Sequence, residues 1–506
     1  MKKHIKSKGI MIQGTASSVG KSILCTALCR IFTQDGYNVN PFKSQNMSLN
    51  SFITPEGHEM GRAQVMQAEA AKKVPSSKMN PILLKPTSDR KSQVIINGKV
   101  HKDMDAVDYF AFKAGLKSKI ADIYNELSNN SDIVVIEGAG SPAEINLNKE
   151  DFVNMGMAEI ADAPVLLVGD IDKGGVFAAL AGTMMLLDEK DKRRVKGVII
   201  NKFRGSYEIL EPGLRMLEDI INVPVLGVVP YFRLNIEDED SVSEWLYSKD
   251  DDKRAIDIAV IKLPYMSNHT DFNCLKLYSD VSVRFVEKVE AIGYPDLLII
   301  PGTKNTIHDL KWLFESGLAL AIKQLHVRGC KIFGICGGFQ MLGIEIHDPC
   351  KVESEDGFCK GLGMLNVETF FAKEKTTTIT EGIDRIFNCR VKGYEIHMGE
   401  TRALENVEAF ISVKSRNDTY KAGIDGAVST DKTVFGTYLH GIFDSSEFTN
   451  RFLNTIRVEK GYPEMENNVQ NYWDYKEEQY DKLAEIVRNS LDMERIYDIL
   501  EAGAYD

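Results

Sequence analysis

Short runs that are apolar at every position recur along the chain, separated by stretches whose apolar residues return at helical spacing. In the first half the runs fall at residues 9–13, 132–136, 164–168, 195–200 and 223–229. A strand that is apolar on both sides is covered on both faces, as in a parallel sheet flanked by helices. Alternation of such strands with helices predicts a doubly wound α/β domain. A charged segment follows at Ile236-Glu-Asp-Glu-Asp240 and Lys249-Asp-Asp-Asp252, and the pattern then restarts at 256–263, 281–286, 296–300, 331–335 and 434–439, predicting a second α/β domain. From residue 451 the chain turns charged and aromatic, with Tyr472, Trp473 and Tyr475 ahead of a helical repeat in Lys482-Leu-Ala-Glu-Ile-Val-Arg-Asn-Ser-Leu491. The expected organisation is therefore 1–250, 251–450 and a helical extension at 451–506 packed on the second domain.

Composition narrows the partners. At 506 residues the chain exceeds a single hydrophobic core. Its 73 acidic and 61 basic residues leave a formal charge of −12 without a basic stripe, so nucleic acid is not an expected partner. No apolar run approaches the roughly 20 residues of a membrane span, and the basic start has no hydrophobic signal segment behind it, so a cytosolic protein is expected. None of the eight cysteines forms a Cys-x-x-Cys pair, and the nine histidines show no His-x-x-His or His-Glu-x-x-His spacing. Disulfides and structural zinc are not expected, and most cysteines should be ordinary core or surface residues.

Two places break this plain pattern. The first predicted strand runs into Gly14-Thr-Ala-Ser-Ser-Val-Gly20-Lys21-Ser22, followed by a helical run at 22–32. A loop that holds polyphosphate needs glycines so that N–H groups converge on the oxygens, a lysine for the outer phosphates and a hydroxyl for magnesium. Gly14, Gly20, Lys21 and Ser22 supply these, although five residues rather than four separate the glycines. Magnesium also takes carboxylates at the ends of neighbouring strands. Glu137, which opens Glu137-Gly-Ala-Gly140, is the preferred ligand; Asp170 and Asp172 rank below it because aspartates ahead of a helix often only cap it. Lys43 is a candidate for contact with a phosphate or a substrate carboxylate, and Asn201 for contact with the nucleotide base.

The second place is Gly334-Ile335-Cys336-Gly337-Gly338, where a thiol sits on the turn between a buried strand and a helical run at 339–344. A thiol attacks as its thiolate, a form favoured by a helix N-terminus and a neighbouring imidazole. The backbone N–H of Gly337 could serve an oxyanion hole, with a second donor from Gly302 in the turn Pro301-Gly302-Thr303-Lys304. His440, ending Val434-Phe-Gly-Thr-Tyr-Leu-His440, is the favoured base; His397 is its rival and otherwise has a positioning or substrate role. An acid two positions after the histidine would orient the ring, but Ile442 stands there. Asp444, Glu395 or a backbone carbonyl remain as alternatives.

With these residues in view, the chain resembles the cobyric acid synthases, glutamine-dependent amidotransferases of cobalamin biosynthesis. The likeness covers nearly the whole length and rests on Phe42-Lys-Ser-Gln-Asn-Met-Ser48, Glu137-Gly-Ala-Gly-Ser-Pro-Ala-Glu144, Asn154-Met-Gly-Met-Ala-Glu159, Asp170-Ile-Asp-Lys-Gly-Gly-Val176, Gly334-Ile-Cys-Gly-Gly-Phe-Gln340, Gly393-Tyr-Glu-Ile-His397 and Tyr438-Leu-His-Gly441. The first half alone resembles dethiobiotin synthetase, and the second half a class I glutamine amidotransferase. The resemblance implies a P-loop amide synthetase domain joined to a glutaminase domain, ATP with Mg2+, glutamine as co-substrate and a corrinoid substrate. It implies amidation of the b, d, e and g carboxylates of adenosylcobyrinic acid a,c-diamide, with Cys336 as nucleophile and His440 as base. The rivals are cobyrinic acid a,c-diamide synthase, which the segment 42–48 disfavours, and a ParA-like nucleotide switch, which has no need of a thiol.

Overall fold

A computed structural model describes residues 9–87, 90–147, 150–234, 236, 254–354, 356–466 and 469–505. The chain forms two compact units, one comprising the described residues of Met1–Ser48, Met60–Asp240 and Lys476–Asp506, the other those of Leu49–Glu59 and Ser241–Tyr475. The domain boundary expected near residue 250 lies outside the described residues. No described helix is long and apolar enough to cross a membrane.

The nucleotide-binding unit is built on a six-stranded parallel sheet in the order Val225–Pro230, Val195–Phe203, Val165–Asp170, Gly9–Gly14, Ile133–Glu137, Val39–Phe42. Strand Gly9–Gly14 is buried at all six positions, which is why its sequence shows no polar alternation. It sits between Ile133–Glu137 and Val165–Asp170, so the Gly14 loop emerges beside Glu137 and Asp170 at the carboxyl edge of the sheet. Chain order reverses around this central strand, which is where open α/β sheets gather their ligands. The short strand Val39–Phe42, with a proline in its middle, went unnoticed in the sequence; it occupies the sheet edge, where a missing N–H is tolerated. A second sheet of four strands, Gln45–Met47, Ile82–Pro86, Lys91–Ile96 and Lys99–Asp105, belongs to the same unit.

The second unit carries one sheet of eleven strands. Five are parallel, in the order Val281–Val286, Ile256–Ile261, Leu297–Ile300, Lys331–Ile335, Val434–Thr437. From Val434–Thr437 the sheet continues antiparallel through Thr419–Ser429, Val407–Arg416 and Val367–Asp384, which also pairs with Arg390–Ala403. The parallel strands are those legible as apolar runs. The antiparallel ones carry many exposed or half-exposed positions, as in Val367–Asp384, and present no such run.

The end of the chain departs from expectation. Helix Ser446–Glu459 stays with the second unit, but Tyr472–Ser490 enters the nucleotide-binding unit for most of its length, and Met493–Ala502 lies wholly within it. Tyr480, Leu483, Ala484 and Val487 join the core formed by Ile31, Phe32 and Tyr37. Polar contacts fix the same seat: Arg30, with 3% of its side chain exposed, donates to Glu477 at 2.7 Å and to Asp481 at 2.8 Å. The helical periodicity of 482–491 reveals an apolar face, but nothing in it says which core that face covers.

Leu483→Ala should therefore cost about 2–5 kcal/mol and loosen the nucleotide-binding unit. Hydrogen exchange is expected to accelerate in Lys21–Gln34 and Gly9–Gly14, with Lys331–Ile335 unaffected; acceleration in Lys331–Ile335 instead would place the tail on the other core.

Candidate active site

In the second unit, four neighbouring strands deliver their functional groups at one edge. Ile300 pairs with Gly334, and Ile335 with Thr437, so the turn at Gly302, the thiol of Cys336 and the imidazole of His440 all follow adjacent parallel strands. Asp271 follows Ile256–Ile261, the next strand over, in the 3-10 segment His269–Leu277.

Cys336 caps helix Gly337–Leu342 with φ 53° and ψ −109°. A non-glycine residue in that region stores about 1–3 kcal/mol of strain, sustained here by bonds on both sides. Its N–H donates to Thr437 O at 2.8 Å, and its carbonyl accepts from Gln340 N at 3.1 Å. The strain turns the side chain out of the strand line toward His440, to which it is hydrogen-bonded, with Ile396 O 3.5 Å from the sulfur. The turns approach so closely that glycine is required. A Cβ on Gly338 would lie 2.0 Å from Ile300 O, one on Gly337 2.7 Å from Thr303 Cγ2, and one on Gly302 2.9 Å from His440 Cε1. Gly337 begins the helix, and first-turn N–H groups have no acceptor within their own helix.

His440 is fully buried, and its Nδ1 meets Asp271 Oδ2 at 2.7 Å. The other oxygen, Oδ1, accepts the N–H of Gly441 at 3.1 Å, which fixes the carboxylate. Burial alone would pull the imidazole pKa down, but Asp271 and then Cys336 outweigh it and push it up to about 10. The proton is thus held on His440 through the neutral range. The stability this contributes is fully present below the unfolded value of about 6.5 and fades as pH rises through about 10.

None of the alternatives proposed for orienting His440 does so. The carboxylate of Asp444 lies over Gly441, where a Cβ would be 3.0 Å away. Glu395 accepts from Thr380 at 2.6 Å and Arg416 at 3.0 Å, and faces His397 at 3.4 Å. His397 bonds Gly399 O through Nδ1 at 2.9 Å and stacks on Tyr438 with centroids 3.7 Å apart, so the rival base is engaged elsewhere. Asp271 was missed because it lies 169 residues from His440; the available signal was a polar run, Ser267 to Asp271, beyond a buried strand. Among the other thiols, burial drives Cys25, Cys29 and Cys274 well up, leaving them as core thiols.

In the nucleotide-binding unit the Gly14 loop is braced from behind. Asn201 Nδ2 donates to Val19 O at 2.8 Å, and a Cβ on Gly20, at φ 93°, would lie 2.2 Å from that nitrogen. Asn201, expected at the base, instead buttresses the loop. Lys21 Nζ lies 2.8 Å from Ala16 O and 3.2 Å from Gly140 O, within the curve of the loop. Ser22 Oγ donates to Glu137 Oε1 at 2.8 Å.

Lys43 also reaches Glu137 Oε1, at 2.7 Å, forming a buried ion pair rather than an outward-facing contact. Gln64 and Gln67 donate to Oε2 at 3.2 and 2.5 Å. Burial would raise the Glu137 pKa, but Lys43, with Ser22 and Gln67, outweighs it and keeps the group below the usual carboxylate range. Both Glu137 oxygens are thus engaged, and Asp170 is engaged as well: its Oδ1 accepts from Asp172 N–H at 2.9 Å and its buried Oδ2 lies 3.3 Å from Lys202 Nζ. Asp172 pairs with Arg204 at 2.9 Å.

The comparisons agree with this two-part arrangement. Residues 10–241 match the family described as the CobQ/CobB/MinD/ParA nucleotide binding domain, and residues 257–448 the CobB/CobQ-like glutamine amidotransferase domain. Over 499 residues the chain is 64% identical to a cobyric acid synthase of Clostridium novyi (strain NT), covering 99% of each. It is 55% identical over 504 residues to a cobyric acid synthase of Alkaliphilus metalliredigens (strain QYMF), covering 98% of this chain and 100% of that one. A solved glutamine amidotransferase aligns with 40% of this chain and 98% of its own at 15% identity and a TM-score of 0.30, too slight a likeness to carry weight.

In Asp271→Asn the His440 titration should fall from about 10 toward its ordinary range, followed by NMR of the imidazole carbons. Alkylation of Cys336 at neutral pH should slow by about tenfold or more, because the imidazolium partner of the thiolate is lost. An unmoved titration would remove Asp271 from the array.

Proposed function

The chain belongs to the cobyric acid synthase family, and we propose on that footing that it amidates the b, d, e and g carboxylates of adenosylcobyrinic acid a,c-diamide to give adenosylcobyric acid. It is a glutamine-hydrolysing ligase, and each amidation consumes one glutamine and one ATP. The observation that carries the reading is the buried array Asp271–His440–Cys336 on a chain that also holds the Gly14 loop.

In the glutaminase half, Cys336 attacks the side-chain amide carbon of glutamine. His440 gives its proton to the departing nitrogen, so ammonia leaves and a glutamyl thioester remains. Water, deprotonated by the same imidazole, then releases glutamate and restores the thiol. The N–H groups of Gly337 and Gly302 serve the oxyanion in both steps. Asp271 holds the ring with Nε2 toward the sulfur.

In the synthetase half a corrinoid carboxylate attacks the γ-phosphorus of ATP, giving an acyl phosphate and ADP. Ammonia displaces phosphate from the acyl carbon, forming the amide. Lys21 and the N–H groups of the loop stabilise charge on the transferring group. Ser22, Glu137 and Asp170 offer the hard oxygen donors that Mg2+ takes, and the Ser22 hydroxyl 2.8 Å from Glu137 at the carboxyl edge of the sheet favours the fit. When bound, the ion would neutralise phosphate charge. Lys43 keeps Glu137 ionised and still, which preserves the alignment of Ser22.

Cys336→Ala should lose glutamine-dependent amidation while retaining amidation from added ammonium salts. Lys21→Ala should lose amidation from both nitrogen sources and keep glutamate release. Mass spectrometry of the corrinoid, incubated with ATP, magnesium and either nitrogen source, reads both. Four successive exchanges of OH for NH2 are expected; equal loss of both activities in a folded Cys336→Ala protein would contradict separate sites.

A further inference from the structure

The glutaminase unit contains one segment from far outside its main span. Leu49–Glu59 belongs to it, while the residues before and after this segment belong to the nucleotide-binding unit. Gly57, at φ 77°, makes the bend within the segment possible. Lys375 pairs with Glu59 at 2.6 Å, Thr377 Oγ1 donates to Gly57 O at 2.9 Å, and Phe52 meets Tyr394 edge-on at 5.2 Å. Tyr394 in turn stacks on His440, with centroids 5.1 Å apart.

The segment also reaches His440 by a polar route. Asn50 Oδ1 accepts the N–H of Asn268 at 2.8 Å and lies 3.0 Å from His269 Nδ1. Ser51 N–H donates to Asn268 Oδ1 at 3.0 Å, and Asn268 Nδ2 lies 3.4 Å from His440 Nε2. Asn268 is buried and held at φ 54°. Because its Oδ1 is committed to Ser51, the amide can only present its NH2 group to the imidazole. An NH2 group can donate to the lone pair of a neutral Nε2 but cannot accept from a protonated one.

We propose that Asn268 is a positioning residue for His440, that the Ser51 N–H of the segment Leu49–Glu59 sets the orientation of its amide, and that Asn50 seats the segment by its bonds to the Asn268 backbone and His269. This rests on the reading of Cys336 and His440 as the glutaminase pair. With the segment seated, the NH2 group favours the imidazole as a base and opposes its protonated form. When the segment shifts, the amide is free to turn, Oδ1 accepts from Nε2–H, and the thiolate–imidazolium pair gains a partner. The other groups facing His440 are Asp271, Cys336 and Tyr394, while Glu395, next to Tyr394, is engaged with Arg416, Thr380 and His397.

The test is the pH midpoint for alkylation of Cys336 by iodoacetamide in the full chain, read by peptide mass spectrometry. Asn50→Ala touches neither His440 nor Cys336, and Asn268→Gly removes the amide while tolerating the positive φ. Each should lower the midpoint by about half to one pH unit, and the double variant should shift no further, because both act through one amide. Unchanged midpoints in either folded variant, or additive shifts, would overturn the proposal. Ammonium-dependent amidation by the same proteins reports folding. Its absence from the unmutated protein would instead refute the proposed function, an outcome that alkylation does not depend on.

Discussion

A carboxylate and an imidazole withdrawn together from water cost several kcal/mol unless a proton and further hydrogen bonds bind them. Asp271 and His440 meet that condition: one oxygen takes the ring, the other takes Gly441 N–H, and the ring's far nitrogen faces Cys336. The glutaminase site depends on this array. It needs the carboxyl ends of neighbouring parallel strands in register, and it fixes glycine at 302, 337 and 338, where backbone and ring approach within a side chain's width.

The synthetase site rests on a comparable balance with different chemistry. Glu137 is ionised in the core because Lys43, Ser22, Gln64 and Gln67 all donate to it. It therefore serves the loop as a fixed anion that orders Ser22, while Asp170 pairs with Lys202. The same unit draws in helix Tyr472–Ser490, whose apolar face joins the core with Ile31 and Phe32 on the helix that begins at Lys21. Packing at the far end of the chain thus bears on the helix whose start carries Lys21 and Ser22.

Both glycine-rich turns stand out in the sequence because they obey local rules. Gly14 to Ser22 and Gly334 to Gly338 each follow an apolar run and need glycine for backbone reasons that act within a few residues. His440 was legible as the polar end of the last parallel strand. Asp271 was not, since its partner lies 169 residues away and the link is made by strand order rather than spacing. Lys43 reads as a contact for a phosphate or a substrate carboxylate, because a buried lysine paired with Glu137 leaves no trace in sequence. The seat of helix Tyr472–Ser490 and the membership of Leu49–Glu59 are hidden for the same reason: amphipathic pattern reveals that a face is covered, not by what.

The account stands or falls on the sulfur of Cys336 acting as the nucleophile toward a glutamine-shaped substrate. Peptide mapping after incubation with a diazoketone analogue of glutamine tests it directly. A single adduct on Cys336, suppressed by excess glutamine, is the expected result; an adduct confined to another cysteine, or none on a folded protein, would contradict it.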